Sequence, residues 1–480
     1  MSHTLRIAVV GAGAQAQALH LPIIRRRWDR FELAALVDIS PRRRQDAADL
    51  FGVPEEARYA AVADLLADVR SRKVQLDGVV VASDGLHVED VLGFARRGIP
   101  VLVEPPLAFS EAQAQEVADF ERMMGRRLIM LAYPQQHDPI FADLNEKLPA
   151  RDLRLLDYEV RMPSQQALVG DANVTVSAYD LDSDLRAERR EALEAAVTAG
   201  AGSASLQRDR DMWVNGLLTG MASQLAAIGA VYGPIERIEH VRQWPEGVIP
   251  GSIEVLGRIR EDAAVRLVWH YLPFAPEYDE TLTAITARRR ARLEVAASTH
   301  LDSRSVMHLR ERDGGVVSDV RSVSPSSAGE AMWEAFHAFI VGGGETPWSA
   351  ADELAQVGIL RQILDRIAEA DGRSLEEPEI VEEPEAATVE QSGAAGAEPA
   401  DSGAAASEVA ASGSTEPAVP GAAEVGPIEA PHAAVATEDA WAPVPPEQGD
   451  HEAGSGDAPV EGGGASAAAP AADPAQEGPR

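Results

Sequence analysis

At 480 residues the chain exceeds what one hydrophobic core holds, and two or three domains are expected. A formal net charge of −34 leaves no basic stripe for nucleic acid or for an anionic membrane surface, so neither is an expected partner. Cysteine is absent, which excludes disulfides, thiolate nucleophiles and cysteine-based zinc sites.

The N-terminus runs straight into an apolar strand, and no run approaches the ~20 apolar residues of a membrane span, so a cytoplasmic protein is expected. Up to Pro134 short apolar runs alternate with amphipathic stretches. The runs are Arg6–Val10, Leu33–Val37, Gly78–Ala82, Val101–Val103 and Leu128–Ala132; the helical stretches include Arg43–Phe51, Ala61–Val69 and Val88–Arg97. This alternation predicts an α/β fold over residues 1–134, a Rossmann doubly wound parallel sheet.

From about Arg151 the period changes. Leu153–Arg161, Ile235–Val241, Ile253–Ile259, Ala264–Leu272, Ala291–Ala297, Val306–Arg310 and Val316–Val320 read as strands. Helices are expected at Trp213–Tyr232, Gly329–Val341 and Ala350–Ala370. Residues 135–375 are thus expected to form an α+β domain for substrate and oligomerisation, with a large, mainly antiparallel sheet. Within it Gln165–Arg210 is a polar excursion carrying one helix, Asp184–Thr198. Residues 376–480 hold 22 acidic residues and one basic one, Arg480, among Ala, Pro, Gly and Ser. Such a tail cannot bury enough apolar surface to offset its ordering entropy and is expected to be disordered.

The first strand ends in Gly11-Ala12-Gly13-Ala14-Gln15-Ala16, a G-x-G-x-x-A turn opening a helix. Gly11 permits the turn, Gly13 lets a pyrophosphate approach the backbone, and Ala16 lets helix pack on strand. Asp38, at the end of the second strand, stands where a carboxylate accepts from an adenosine ribose. That favours NAD, with NADP left open by Arg42, Arg43 and Arg44, which read as a solvated first helical turn.

Further segments resemble the Gfo/Idh/MocA family, the glucose–fructose oxidoreductase and inositol dehydrogenase group. They are His20-Leu21-Pro22; Val81-Ala82-Ser83-Asp84-Gly85-Leu86-His87; Gly98 to Leu107, with Glu104-Pro105-Pro106; and Phe336 to Arg373. The resemblance covers about residues 5–375 and implies cofactor contacts at Ser83, His87 and Glu104. It also implies a sugar or polyol ligand and a homodimer or homotetramer through an open sheet face. The chain departs from the family pattern in three segments. Pro105 stands at the family's catalytic lysine, Gly220 and Gln224 stand at its Asp and His, and Gln136 stands at an arginine. Glutamine cannot take a proton near neutral pH.

No metal site is expected, and His87 and His137 are the remaining catalytic candidates. His137 and Asp138 are expected to face the cleft, and His270 either the inner sheet face or an interface. The residues favour a cofactor- or ligand-binding regulatory protein without standard dehydrogenase turnover. The alternative is an active NAD(P)-dependent oxidoreductase on a sugar or polyol, with relocated acid/base residues.

Overall fold

The computed structural model describes residues 4–169, 174, 180–342 and 346–377. Six parallel strands come first: β1 (Leu5–Val10), β2 (Phe31–Val37), β3 (Arg58–Tyr59), β4 (Gly78–Val81), β5 (Val101–Val103) and β6 (Ile129–Leu131). Their order is β3-β2-β1-β4-β5-β6. Strands β4, β5 and β6 are buried at every residue, because helices cover both faces, and so read as apolar runs of Val, Leu, Ile and Met after Gly78.

The crossovers are α1 (Leu21–Arg26), which continues a π-helical turn Ala16–His20, then α2 (Pro41–Phe51), α3 (Val62–Arg70), α4 (Val88–Ala95) and α5 (Glu111–Met124). Ser40 and Ser110 cap α2 and α5 by accepting from Arg43 and Gln113 N–H. The strand order reverses between β1 and β4, which opens a crevice at their C-terminal ends.

After α6 (Pro139–Lys147) a second sheet begins at β7 (Leu153–Met162). Its other members are β8 (Arg237–Trp244), β9 (Ser252–Ile259), β10 (Ala263–Tyr271), β11 (Asp279–Thr286), β12 (Arg289–Val295), β13 (Val306–Asp313) and β14 (Val316–Val323). The order is β14-β13-β12-β11-β7-β10-β9-β8. Every pair is antiparallel except β7 with β10. Strand β11 was not expected. It opens on two acids and is rich in threonine, so its apolar alternation is weak, yet it joins β7 to β12 in the middle of the sheet.

The polar excursion holds α7 (Gln165–Val169), α8 (Ser183–Ala201) and α9 (Gln207–Asp211). From α9 the helix runs on through a π-helical stretch, Met212–Met221, into α10 (Ala222–Tyr232). This corrects the membrane expectation: Gln207–Tyr232 is 26 residues long and apolar enough to span a bilayer. Its apolar side chains are instead spent on the core, where Trp213, Leu217, Leu218 and Met221 are buried. Helices α11 (Ala328–Gly342) and α12 (Ala350–Ala370) follow. The acidic tail lies outside the described residues apart from its first two. Glu376 is seated rather than loose, 2.8 Å from the Arg361 guanidinium.

Candidate functional site

The glycine turn sits where β1 ends. Gly11 has φ +90°, and a Cβ there would lie 2.4 Å from the Ser83 backbone. Only glycine fits that turn without moving β4. Gly13 differs: a Cβ would meet nothing nearer than the Asp84 carboxylate at 3.6 Å. Protein packing therefore leaves room there, as an approaching phosphate would need. Ala14 and Gln15 line the cavity beside it, while Ala16 is fully buried between helix and sheet.

Asp38 is buried and braces this turn. Its Oδ2 accepts from Ala12 N–H at 2.7 Å and its Oδ1 from Ser40 N–H at 2.7 Å. Asp38 is nonetheless buried and is not a residue of the cavity wall, so the ribose contact expected of it is not formed by its side chain as packed. Arg43 is not solvated as expected. It is buried, 3.3 Å from Asp38 and 2.7 Å from Asp84, and so ties β2 to the loop after β4.

A cavity of about 550 Å³ opens from this turn. Ser83, His87, Glu104 and Pro105 all line it. Glu104 takes a 2.6 Å bond from His20 Nε2, whose Nδ1 accepts from the Trp333 indole N–H at 3.2 Å. Because indole only donates, the His20 proton must sit on Nε2 and point at Glu104. The Pro105–Pro106 bond is cis. His87 is buried, with Nδ1 3.2 Å from Ser83 Oγ. Burial pushes its pKa down to about 4, outweighing Asp84, so near neutral pH it is an uncharged ring and a weak base.

Two expectations fail on the far side. His137 is absent from the cavity wall: its Nε2 is buried without a partner, and burial lowers its pKa to about 4. Asp138 is the cap of α6, accepting from Ile140 N–H at 3.1 Å and from Ser324 Oγ at 2.6 Å. Helix formation at Pro139 demands that cap, so neither side chain is free for the cleft. His270 is not a cavity residue either; its Nδ1 lies 2.7 Å from Ser252 Oγ. Gln136 donates to Ala226 O at 3.0 Å.

Gly220 lines the cavity under Trp269, whose ring carbons would stand 2.8 Å from a Cβ, so no carboxylate fits there as packed. Gln224 spends its amide N–H groups on Tyr158 O (3.0 Å) and Val268 O (3.2 Å). Its buried Oε1 has no partner among the described residues.

A candidate acid/base group that sequence reasoning missed stands on β11. Glu280 is buried and lines the cavity, and Tyr278 and Tyr158 both donate their hydroxyl hydrogens to it. Gln135 Nε2 adds a longer contact of 3.4 Å. Burial raises the Glu280 pKa above the usual carboxylate range, against the lowering effect of these donors. Tyr278 also lines the cavity, so a proton taken at its hydroxyl can pass to Glu280. The signal was present in the register: Glu280 shares a face with Leu282 and Ala284, both buried. A carboxylate on an otherwise apolar strand face is a candidate whenever the strand is seen.

Residues 5–132 match the family model described as "Oxidoreductase family, NAD-binding Rossmann fold". An inositol 2-dehydrogenase from Arthrobacter sp. (strain FB24) is 31% identical over 168 residues, 34% of this chain and 48% of that protein. An inositol 2-dehydrogenase 4 from Saccharopolyspora erythraea is 33% identical over 148 residues, 30% of this chain and 41% of that protein. The chain thus spans about half the length of the curated relatives it matches, or less.

Among solved structures, KijD10, a 3-ketoreductase from Actinomadura kijaniata in complex with NADP and TDP-benzene, superposes with a TM-score of 0.55 at 16% identity. The match covers 78% of this chain and all of that one. An oxidoreductase from Agrobacterium radiobacter with NAD+, L-tartaric acid and magnesium gives 0.53 at 16% identity, covering 77% of this chain and 98% of that one. At such identity these two show a shared fold. Residues 5–132 thus resemble the NAD-binding Rossmann domain of that oxidoreductase family, and the rest of the described chain shares the fold of these solved structures.

Proposed function

We propose that the chain is an active NAD(P)-dependent oxidoreductase acting on a secondary hydroxyl of a sugar or cyclic polyol, with its acid/base chemistry moved from the family's helix to β11. The carrying observation is the Tyr278–Glu280–Tyr158 cluster on the cavity wall. The curated relatives named as inositol dehydrogenases support the substrate class. The regulatory reading rested on the loss of lysine, Asp and His together, which seemed to leave no group to take a proton. Glu280 removes that ground.

The residues fit the cofactor: the space over Gly13 and the donors of the following helical turn would hold the dinucleotide, with Asp38 bracing the turn from behind. When bound, its nicotinamide supplies the hydride acceptor or donor. The protein's own part is the proton. A substrate hydroxyl against Tyr278 Oη passes its proton there as Tyr278 passes its own to Glu280, so the proton ends on Glu280, which becomes a neutral buried carboxyl group. The raised pKa of Glu280 makes it a stronger base than a surface carboxylate. Tyr158 holds Glu280 in place, and Gln224 Oε1 offers an acceptor for a second substrate hydroxyl.

The test is an absorbance assay at the nicotinamide band with NAD+ and NADP+ against inositols, aldoses and their alditols. Turnover that collapses in Glu280→Gln, with dinucleotide affinity retained, is expected. Tight dinucleotide binding with no turnover on any of these substrates returns the regulatory reading, whereas a fully active Glu280→Gln variant leaves an oxidoreductase but removes Glu280 as its base.

A further inference from the structure

The acidic chain gathers cations in one place. Four arginines line the cavity: Arg43 from α2, and Arg186, Arg189 and Arg190 from α8. Helix α8 belongs to the excursion and is strapped across the dinucleotide crevice at several points. Just before it, Asp180 accepts from Ser40 Oγ and from Arg42 N–H, both at 2.7 Å. Midway, Arg189 donates to Asp84 O at 3.0 Å. At its far end a Cβ on Gly200 would lie 1.8 Å from Phe109 O, which also accepts from the Trp213 indole at 2.8 Å. The helix is therefore held against the loops that follow β2, β4 and β5.

Two of its arginines have no work in that attachment. Arg186 and Arg190 are one helical turn apart, on one face of α8. Both line the cavity, and neither has an ion-pair or side-chain hydrogen-bond partner among the described residues. Arg43 and Arg189 are occupied by Asp38, Asp84 and the Asp84 carbonyl. Two unspent guanidinium groups beside a dinucleotide crevice, in a protein of net charge −34, make a local positive field that focuses anions. The planar fork of arginine matches phosphate oxygens two at a time.

We propose that Arg186 and Arg190 form a phosphate clamp that takes a phosphate group of a nucleotide bound in this cavity. This rests on the oxidoreductase reading only for nucleotide occupancy, not for turnover. Three sources carry the same chemistry: the dinucleotide pyrophosphate, the 2′-phosphate of NADP, and the diphosphate of a nucleotide-linked substrate.

The experiment is calorimetric titration of the full chain with NADH, NADPH and UDP, for wild type, R186Q/R190Q and R186K/R190K, at low and high salt. Both arginines are exposed, so the folded state should be unchanged by far-UV circular dichroism. The clamp predicts a loss of about tenfold in affinity for R186Q/R190Q, a smaller loss for R186K/R190K, and convergence of the variants at high salt. Loss for NADH and NADPH alike assigns the pyrophosphate. Loss for NADPH alone assigns the 2′-phosphate, and loss for UDP alone assigns a substrate diphosphate. Affinities within twofold of wild type for all three ligands overturn the proposal, as does a wild type that binds none of them. Because binding is read without turnover, failure of the enzymatic reading leaves this result intact and separately visible.

Discussion

The two walls of the cavity are built on different principles. The wall from β1, β4 and β5 is backbone geometry: a turn that only glycine can make, an open space over Gly13, and a carboxylate that braces them. The wall from β11 and the helix Met212–Tyr232 is side-chain chemistry inside an apolar sheet. There Glu280 is held by two tyrosines, and the Trp269 ring fills the space that a side chain at Gly220 would need. Backbone geometry tolerates little change, so the first wall keeps its family pattern. Side-chain chemistry can be moved from one element to a neighbouring one while the cavity stays. The lesson is that missing motif residues on a wall of the second kind do not establish missing chemistry.

The largest expected effect breaks the comparison if it fails. Glu280→Gln should lower kcat by about 10²–10⁴, the usual worth of a general acid or base, with NADH affinity within about twofold. Tyr278→Phe should fall in the same range, and Tyr158→Phe less, because Tyr158 only orients the carboxylate. Steady-state kinetics beside calorimetry separates rate from binding. A Glu280→Gln variant that loses NADH affinity instead would place Glu280 with the cofactor wall.

Next in size is Gly11→Ala. It forces an L-residue to φ +90° and puts a methyl group against the Ser83 backbone. A cost of about 3 kcal/mol is expected, with loss of dinucleotide binding, measured by urea unfolding and titration. Gly13→Ala is the contrast: the protein has space, so stability should hold while binding falls.

These two predictions also mark what could be read in the sequence. The Rossmann half was legible because its signals are local: Gly11, Gly13 and Asp38 stand at fixed spacing around runs whose apolar residues need both sheet faces covered. Helix α8 was legible within three residues at either end for the same reason. The burial of Arg43 was not legible, since it depends on Asp84, 41 residues on. Strand β11 was hidden by its own polarity. It opens on Asp279-Glu280 and carries three threonines, and that polarity erased the alternation that would have revealed a strand, although Glu280 and the preceding Tyr278 line the cavity. The place where pattern reading failed is the place where the candidate chemistry sits.

Gly220→Ala tests whether the substrate wall was rebuilt rather than merely depleted. The added methyl group meets the Trp269 ring at 2.8 Å, and a cost of about 2 kcal/mol is expected. Trp269→Leu in the same chain should recover much of it, and a double-mutant cycle by urea unfolding reads the coupling. Independent costs at the two positions would mean that Trp269 does not exclude a side chain at Gly220.

The smallest effect concerns His87, where the two walls meet. Burial holds its pKa at about 4 in the folded protein, against about 6.5 in an unfolded chain. Between those values the unfolded state binds a proton that the folded state refuses. Stability from the neutral ring is therefore full above pH 6.5 and declines as pH falls toward 4. Between pH 7 and pH 5.5 wild type should lose about 1 kcal/mol relative to His87→Gln, which has no proton to bind there. His137 is lowered in the same way but is present in both proteins, so it cancels from the difference. Urea unfolding of the pair at the two pH values gives the number directly. A difference that does not change with pH would mean that His87 binds its proton equally in the folded and unfolded states, and would restore it as an acid/base group beside the Ser83 hydroxyl.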